Sequence, residues 1–326
     1  MNAPIPATPY RYFPRAPRRE ADYVIAGACA DAWYRERGGS RIQIPIGALA
    51  ALALWPIKGP DAWLQASFWL SLDEDQLATT LRECWARWWI QRPDLIHRAA
   101  PLHDWLHDDT IRTAAMPAVK AVIRTAITEG ILELVSSGDD WSRTDTDVLG
   151  WMVTLMRSGG ERRMLAEFPT PPDMAALMTR FLLAEHAEDI EPGQSFNDPT
   201  SGTGAMVRAM ALHLHDRGHS PADFGWAMTD LDALSAAVAA CCAILWNLGP
   251  RVLVWCGDTL SEGDGPERAA AERAQLIGAR NRTWRELSAL SALTRLTGPD
   301  PAPATSTATS AAEPSDSSTH TKEYTS

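Results

Sequence analysis

The sequence predicts an α/β fold in which a helical N-terminal domain precedes a domain built on a parallel β-sheet. Apolar residues recur at three- and four-residue spacing over residues 21–137, which is the period of amphipathic helices. Short strand-like runs then alternate with longer helical runs from residue 195 onward, an order typical of parallel sheets with crossover helices. The first of these strands passes through a glycine turn into a helix over residues 195–206. We expect the sheet domain to occupy residues 145–297.

Length, cysteine content and charge limit the class of protein. A chain of 326 residues with 45% hydrophobic content can bury a large core and is long enough for two domains. Its five cysteines form no Cys-x-x-Cys pair and follow no secretion signal, so we expect reduced thiols and a cytoplasmic location. The apolar run at 44–57 is too short to span a membrane, and we expect no membrane contact. The formal net charge of −11 argues against a protein that wraps DNA unaided through a basic surface.

The N-terminal part begins with a Pro- and Arg-rich segment, residues 1–20, which we interpret as a flexible arm. Beyond it, the apolar spacing predicts four helices, over residues 21–37, 45–54, 75–91 and 115–136. Two arginines and two tryptophans on or just after the third helix share one face: Arg82, Trp85, Trp89 and Arg92. Such a stripe can stack on bases, but tryptophans packed inward beneath arginine stems are more common. We interpret this face as core packing.

The glycine turn has the features of a ligand-binding loop. Gly202 and Gly204 let the backbone bend sharply and approach a ligand, because no Cβ is in the way. The helix that follows, from about Ala205, points free N–H groups into the space above the turn. Asp198 ends the first strand, at the sheet edge where α/β folds hold their ligands. The alternative is a strand–helix turn that binds nothing.

Acidic residues also end the second and third predicted strands. The second strand, 224–229, leads to Asp230, which is placed to accept hydrogen bonds from both hydroxyls of a ribose, as in nucleotide-binding βαβ units. Asp232 is the alternative, although it can equally cap the next helix, 233–248. Cys241 and Cys242 lie in that helix and are predicted to be buried packing residues. The third strand, 251–257, is followed by Asp258.

The glycine turn resembles motif I of the S-adenosylmethionine-dependent adenine-N6 DNA methyltransferases. It resembles in particular the modification subunits of type I restriction systems, whose pattern is close to Asp-Pro-Thr-Cys-Gly-Ser-Gly-Gly-Met. The matching residues, in order, are Asp198, Pro199, Thr200, Gly202, Gly204 and Met206. An upstream segment containing Asp147, Phe168, Thr170 and Pro171 is similar to the family's Asp-x-Leu-Gly helix and its motif X. The Gly-Asp-Thr-Leu after the third strand is also similar, so that the resemblance covers roughly residues 145–260.

The resemblance implies a partial class I S-adenosylmethionine-dependent methyltransferase fold, which is Rossmann-like, and S-adenosylmethionine as cofactor. In the family, the Thr-Pro turn closes over the methionine end of the cofactor, which points here to Thr170 and Pro171. The family's third-strand aspartate accepts the adenine amino group of the cofactor, which points to Asp258. The implied cofactor-binding residues are Thr170, Pro171, Asp198, Thr200, Gly202, Gly204, Asp230 and Asp258.

The family's catalytic motif, Asn/Asp-Pro-Pro-Tyr/Phe, does not follow Leu260 in this sequence. Residues 267–296 read as one helix, and residues 298–326 are rich in Pro, Ala, Ser and Thr and predicted to be disordered. Three hypotheses follow: an adenine-N6 DNA methyltransferase, a non-catalytic cofactor-binding or assembly module, and a fragment whose sheet is only structural. For the first, we expect DNA contact through a local patch or a partner subunit, and a partner protein that contributes specificity or catalysis.

The strand order of the family leaves the first strand of this chain without its usual neighbour, because no fourth strand can be found. An exposed central edge favours aggregation. We expect the N-terminal helices, the 267–296 helix or another chain, such as a second copy, to cover it.

Overall fold

The computed structural model describes residues 10–160, 170–184 and 190–297. Residues up to Asn281 form one compact unit, and a second begins at Arg282. The helices before the sheet are α1 Arg18–Arg35, α2 Gln43–Ala53, α3 Gln65–Ser71, α4 Glu74–Gln91, α5 Pro93–Arg98, α6 Asp109–Thr128, α7 Ile131–Val135, α8 Asp140–Thr144, α9 Val148–Met156 and α10 Pro172–Ala184. No helix in the described ranges has the length and apolar content that crossing a bilayer requires.

The sheet has three parallel strands in the order β1-β2-β3: β1 Ser195–Asp198, β2 Gly225–Asp230 and β3 Val252–Cys256. Its helices are α11 Ala205–Asp216, α12 Ala233–Leu245, α13 Thr259–Glu262 and α14 Gly265–Thr297. The predicted α/β architecture with a parallel sheet is therefore confirmed. In the second unit, the described residues continue α14 to Thr297. The predicted tail, 298–326, lies outside the described residues.

One predicted helix is wrong in its extent. Residues 115–136 form two helices, α6 and α7, separated at Gly130, whose φ is 90°. A Cβ at this position would lie 2.4 Å from the Pro14 backbone nitrogen. The N-terminal segment therefore packs against Gly130, and this long-range contact, together with the positive φ, ends the helix where local spacing would continue it.

The described part of the predicted arm is held to the helices by ion pairs. Arg11 pairs with Glu133 at 2.7 Å, and α1 begins at Arg18, three residues before the predicted helix start. Arg18 itself donates to the Ser142 carbonyl at 2.6 Å. These contacts span more than 120 positions of sequence, which local patterns cannot reveal.

The helical segment and the sheet share one hydrophobic core. Helix α12 packs against β2 and β3 on one side and against α2, α5 and α9 on the other. Its residues from Ser235 to Ala243 are all buried and mostly alanine, so neighbouring elements approach it closely. The prediction for Cys241 and Cys242 is confirmed, since both are buried, and burial raises the pKa of each thiol. The predicted domains 21–137 and 145–297 thus join through this helix.

The surroundings of Asp147 predict that stability depends on pH. Its Oδ1 accepts a hydrogen bond from the Gly150 N–H at the start of α9, and its own N–H donates to Asp22. Burial raises the pKa of Asp147 to about 6, Arg208 opposes the shift and Asp22 adds to it. Because the folded-state pKa is raised, the stabilising contribution is complete below the unfolded pKa near 4 and is lost as pH rises through 6.

The free energy of unfolding of the native protein should fall between pH 4.5 and 7.5. We expect this fall to be smaller by about 2 kcal/mol in Asp147→Asn. Asparagine caps helices as well as aspartate does, so the helix start is kept. Urea denaturation of both proteins at the two pH values measures the difference. An unchanged pH dependence in the variant would contradict the assignment to Asp147.

Candidate functional site

Hydrogen bonds join the loops that follow the three strands. The Ser201 N–H donates to the Thr229 carbonyl at 2.9 Å, which seats the glycine turn on β2. The Thr259 hydroxyl donates to the Pro199 carbonyl at 2.7 Å, which links the third loop to the first. The loops at the carboxyl ends of the strands therefore lie together, with Asp198 and Asp230 as the last residues of β1 and β2 and Asp258 after β3.

The two glycines of the turn have different surroundings. Gly204 has a φ of 101° and precedes α11, and a Cβ there would lie 3.1 Å from the buried Trp246 ring. Gly202 has a φ of 53°, and a Cβ there would meet no atom within 4 Å. Both positions favour glycine through φ, but only Gly202 faces open space. That space lies next to the first turn of α11, where no side-chain cap occupies the backbone N–H groups.

Asp198 has one carboxylate oxygen without a partner. Its Oδ1 accepts a hydrogen bond from the Thr200 N–H at 3.2 Å. Its Oδ2 is buried and has no hydrogen-bond partner among the described residues. Burial raises the pKa of Asp198; the Thr200 N–H opposes the shift and the charge of Asp230 adds to it. A buried acceptor without a donor is costly, so this oxygen favours a donor group beside it.

Asp230 and Asp232 have different roles. Asp230 accepts from the Gly202 N–H at 2.7 Å and from the Asp232 N–H at 2.9 Å, so it holds the glycine turn in place. Asp232 caps α12 through the Ser235 N–H and forms an ion pair with the buried Arg157. Burial would raise the pKa of Asp232, but the hydrogen bonds from Arg157 and Ser235 lower it overall. Asp230 is thus the better candidate for a ligand acceptor, because its carboxylate lies beside the open turn.

Two apolar side chains near the strand ends are functional candidates to which the sequence analysis gave no role. Leu231 follows Asp230 and is 68% exposed, and Leu260 follows the third loop and is 98% exposed. Asp258 between them caps α13 through the Leu260 N–H at 3.0 Å. Leu231 directly follows a strand-end aspartate, and this pattern is visible in the sequence alone. Exposed leucines beside a polar site suit the faces of a planar ligand.

Thr170 and Pro171 immediately precede α10, which packs against α11. Within the described residues, no hydrogen bond joins Thr170 or Pro171 to the strand ends. Phe168 and Pro169, which complete the predicted motif X, lie outside the described residues. Five apolar residues on α10 are at least 46% exposed: Met174, Leu177, Met178, Phe181 and Leu182.

The Arg/Trp stripe of α4 is engaged within the protein. Trp85 is buried, and Arg82 donates to the Leu106 carbonyl at 3.0 Å. Arg92 pairs with Asp94 at 2.9 Å and also donates to the Gly249 carbonyl. Trp89 is the exception, with 38% of its surface exposed. Apart from Trp89, the core-packing interpretation is confirmed.

Comparisons with known proteins give no family for the chain. A scan against models of protein families finds no match, and a search of curated proteins finds no matching sequence. Across the described ranges, no group of three or more His, Cys, Asp or Glu side chains could hold a metal ion. Any functional assignment therefore rests on the motif residues and on the geometry of the strand ends.

Proposed function

We propose that the chain binds S-adenosylmethionine at the carboxyl ends of its three strands and is a protein of the adenine-N6 DNA methyltransferase type. The observation that supports this most directly is the buried, unpartnered Oδ2 of Asp198. An ammonium group, such as that of the methionine part of the cofactor, is the donor that such a carboxylate binds most strongly.

The charges of the site suit a cationic ligand with one anionic end. Asp198, Asp230 and Asp258 lie at or just after the carboxyl ends of the three strands. S-adenosylmethionine carries two positive groups, a sulfonium and an ammonium, and one carboxylate. The uncapped N–H groups at the start of α11 offer donors to that carboxylate. Asp230 has acceptor capacity for ribose hydroxyls beyond its two backbone partners, and Leu231 and Leu260 can contact the adenine faces. The residues present therefore fit the cofactor.

We expect Asp198→Asn to weaken S-adenosylmethionine binding by about 10- to 100-fold, because an amide replaces the charged acceptor of the ammonium. Binding by the native protein should also weaken as pH falls through the raised pKa of Asp198, because the protonated acid no longer pairs with a cation. The variant should lack this pH dependence. Titration calorimetry at several pH values measures both effects.

The fold should tolerate this change, since asparagine still accepts the Thr200 N–H and removes a charge next to Asp230. Asp264→Asn, at an exposed carboxylate, is the matched control and should bind normally. Equal affinity of the Asp198 variant and the native protein, with both folded, would contradict the proposed site.

A second candidate function is a non-catalytic cofactor-binding or assembly module. The observation that favours it is the lack of an Asn/Asp-Pro-Pro-Tyr/Phe segment anywhere in the sequence, since enzymes that modify a flipped base need groups that grip its Watson–Crick edge. Transfer of labelled methyl groups to adenine in DNA by the purified chain would favour the enzyme. Cofactor binding without transfer would favour the module.

A further inference from the structure

Strand β1 lies at the edge of the sheet, and no described strand pairs with its outer backbone groups. The Gly225 N–H donates to the Gln194 carbonyl at 2.8 Å, which sets the parallel ladder between β1 and β2. In such a ladder the backbone groups of alternate residues bond to the neighbouring strand. The backbone N–H and C=O groups of Phe196 therefore face β2, while those of Ser195 and Asn197 point outward. Among the described residues, no hydrogen bond outside this ladder engages Ser195 or Asn197, and both are exposed.

A groove adjoins this edge on one face of the sheet. A cavity of about 630 Å³ lies between the strands and α14. Its floor contains the small residues Gly225 and Ala227, and Ala270, Ala274 and Ile277 of α14 form a wall. The start of α14 lies over the carboxyl end of β2, away from β1, where a Cβ on Gly265 would be 3.0 Å from the Thr229 hydroxyl. The part of this face next to β1 is therefore left for another element.

Two guanidinium groups line the groove, and that of Arg251 has no ion pair among the described residues. Arg251 donates to the backbone carbonyls of Gly193 and Asp223. The Nε of Arg273 is buried without a hydrogen-bond partner among the described residues. Arg273 forms an ion pair of 3.6 Å with Asp94, a single carboxylate that it shares with Arg92. The groove thus has a local excess of positive charge, although the chain as a whole has a net charge of −11.

We propose that β1 and this groove bind an extended segment of a different polypeptide, which adds a strand to the sheet beside β1. The segment carries alternating apolar side chains that enter the groove and a carboxylate that pairs with Arg251 or Arg273. Main-chain hydrogen bonds provide affinity in this mode of recognition, and side-chain pockets provide specificity. The proposal goes beyond cofactor binding and does not depend on it.

Two other occupants, the last residues of this chain and a second copy of it, fit less well. Residues 298–326 contain no Val, Ile, Leu, Met, Phe or Trp and a single aromatic residue, Tyr324, so they lack the alternating apolar side chains that would fill the groove. A second copy would pair a four-residue edge with itself, leave both grooves open and bring together two chains of net charge −11.

The test is a selection of displayed random 12-residue peptides against the purified chain. We expect enriched peptides to alternate apolar residues and to contain Asp or Glu. Asn197→Pro removes an outward N–H and leaves the hydrogen bonds between β1 and β2. It should therefore lower the affinity for a representative synthetic peptide by about tenfold or more. Asn197→Ala keeps the N–H and should bind within about twofold. Bound peptide should also slow amide exchange at Ser195 and Asn197 in the native protein.

Arg273→Gln provides a second variant if Asn197→Pro does not fold, and selection against it should lose the preference for Asp or Glu. The proposal is overturned if no peptide is enriched, if enriched peptides bind Asn197→Pro as well as the native chain, or if amide exchange at β1 does not change. A dimer in light scattering that dissociates in Asn197→Pro would also overturn it, in favour of pairing between two copies.

Discussion

Replacing Trp246 by alanine should lower the free energy of unfolding by about 3–5 kcal/mol, the range for large aromatic residues removed from a core. The side chain is 0% exposed. Its indole N–H donates to the Thr146 carbonyl at 3.0 Å, and its ring supports Gly204 of the turn. The variant would leave a cavity and a buried carbonyl without its donor, between the helical segment and the sheet. Urea denaturation followed by far-UV circular dichroism measures the change.

Trp89→Ala is the matched control, because this tryptophan is 38% exposed. We expect its replacement to change the free energy of unfolding by less than about 1 kcal/mol, as for other surface positions. A comparable loss in both variants would mean that Trp246 has no special place in the core.

Replacing Asp230 by alanine should weaken S-adenosylmethionine binding by at least about 100-fold. Under the proposed function, this carboxylate accepts hydrogen bonds from the ribose, and bonds to a charged group contribute about 1.5–3 kcal/mol each. The same change removes the acceptor of the Gly202 N–H, so the glycine turn loses one of its contacts with β2. Titration calorimetry with the cofactor measures the loss, and circular dichroism verifies that the variant is folded.

The variant Asp232→Asn distinguishes the role of Asp232 from that of Asp230. It removes the charge that Arg157 pairs with and should lower the melting temperature, but it should change cofactor affinity by less than about threefold. If Asp232→Asn abolishes binding while Asp230→Ala retains it, the roles of the two residues are reversed.

Local patterns in the sequence predicted the sheet well. Each strand ends at or near a residue with a local signal: Asp198 before the glycine turn, Asp230 before a helix cap and Asp258 before α13. The open space at Gly202 also follows from a local feature, since only glycine fits the turn without strain. Signals of this kind depend on a few neighbouring residues, and the sequence contains all of them.

The remaining features depend on contacts between distant segments. The break at Gly130 arises from packing of the N-terminal segment, more than one hundred residues away. The pairing of Arg157 with Asp232 joins positions 75 residues apart and decides which aspartate remains beside the turn. The unpartnered Oδ2 of Asp198 depends on burial by the assembled loops. No periodicity or motif encodes these facts.

The position of α12 has a consequence for how the chain folds and how it can be divided. This helix is buried between the sheet and the N-terminal helices. Most of its alanine-rich surface therefore contacts protein and not water. Residues 145–297 expressed alone would expose it and should aggregate, and the N-terminal helices alone would lack the element that closes their core. The two parts should therefore unfold in a single cooperative transition, and shortened versions intended for cofactor studies must retain both.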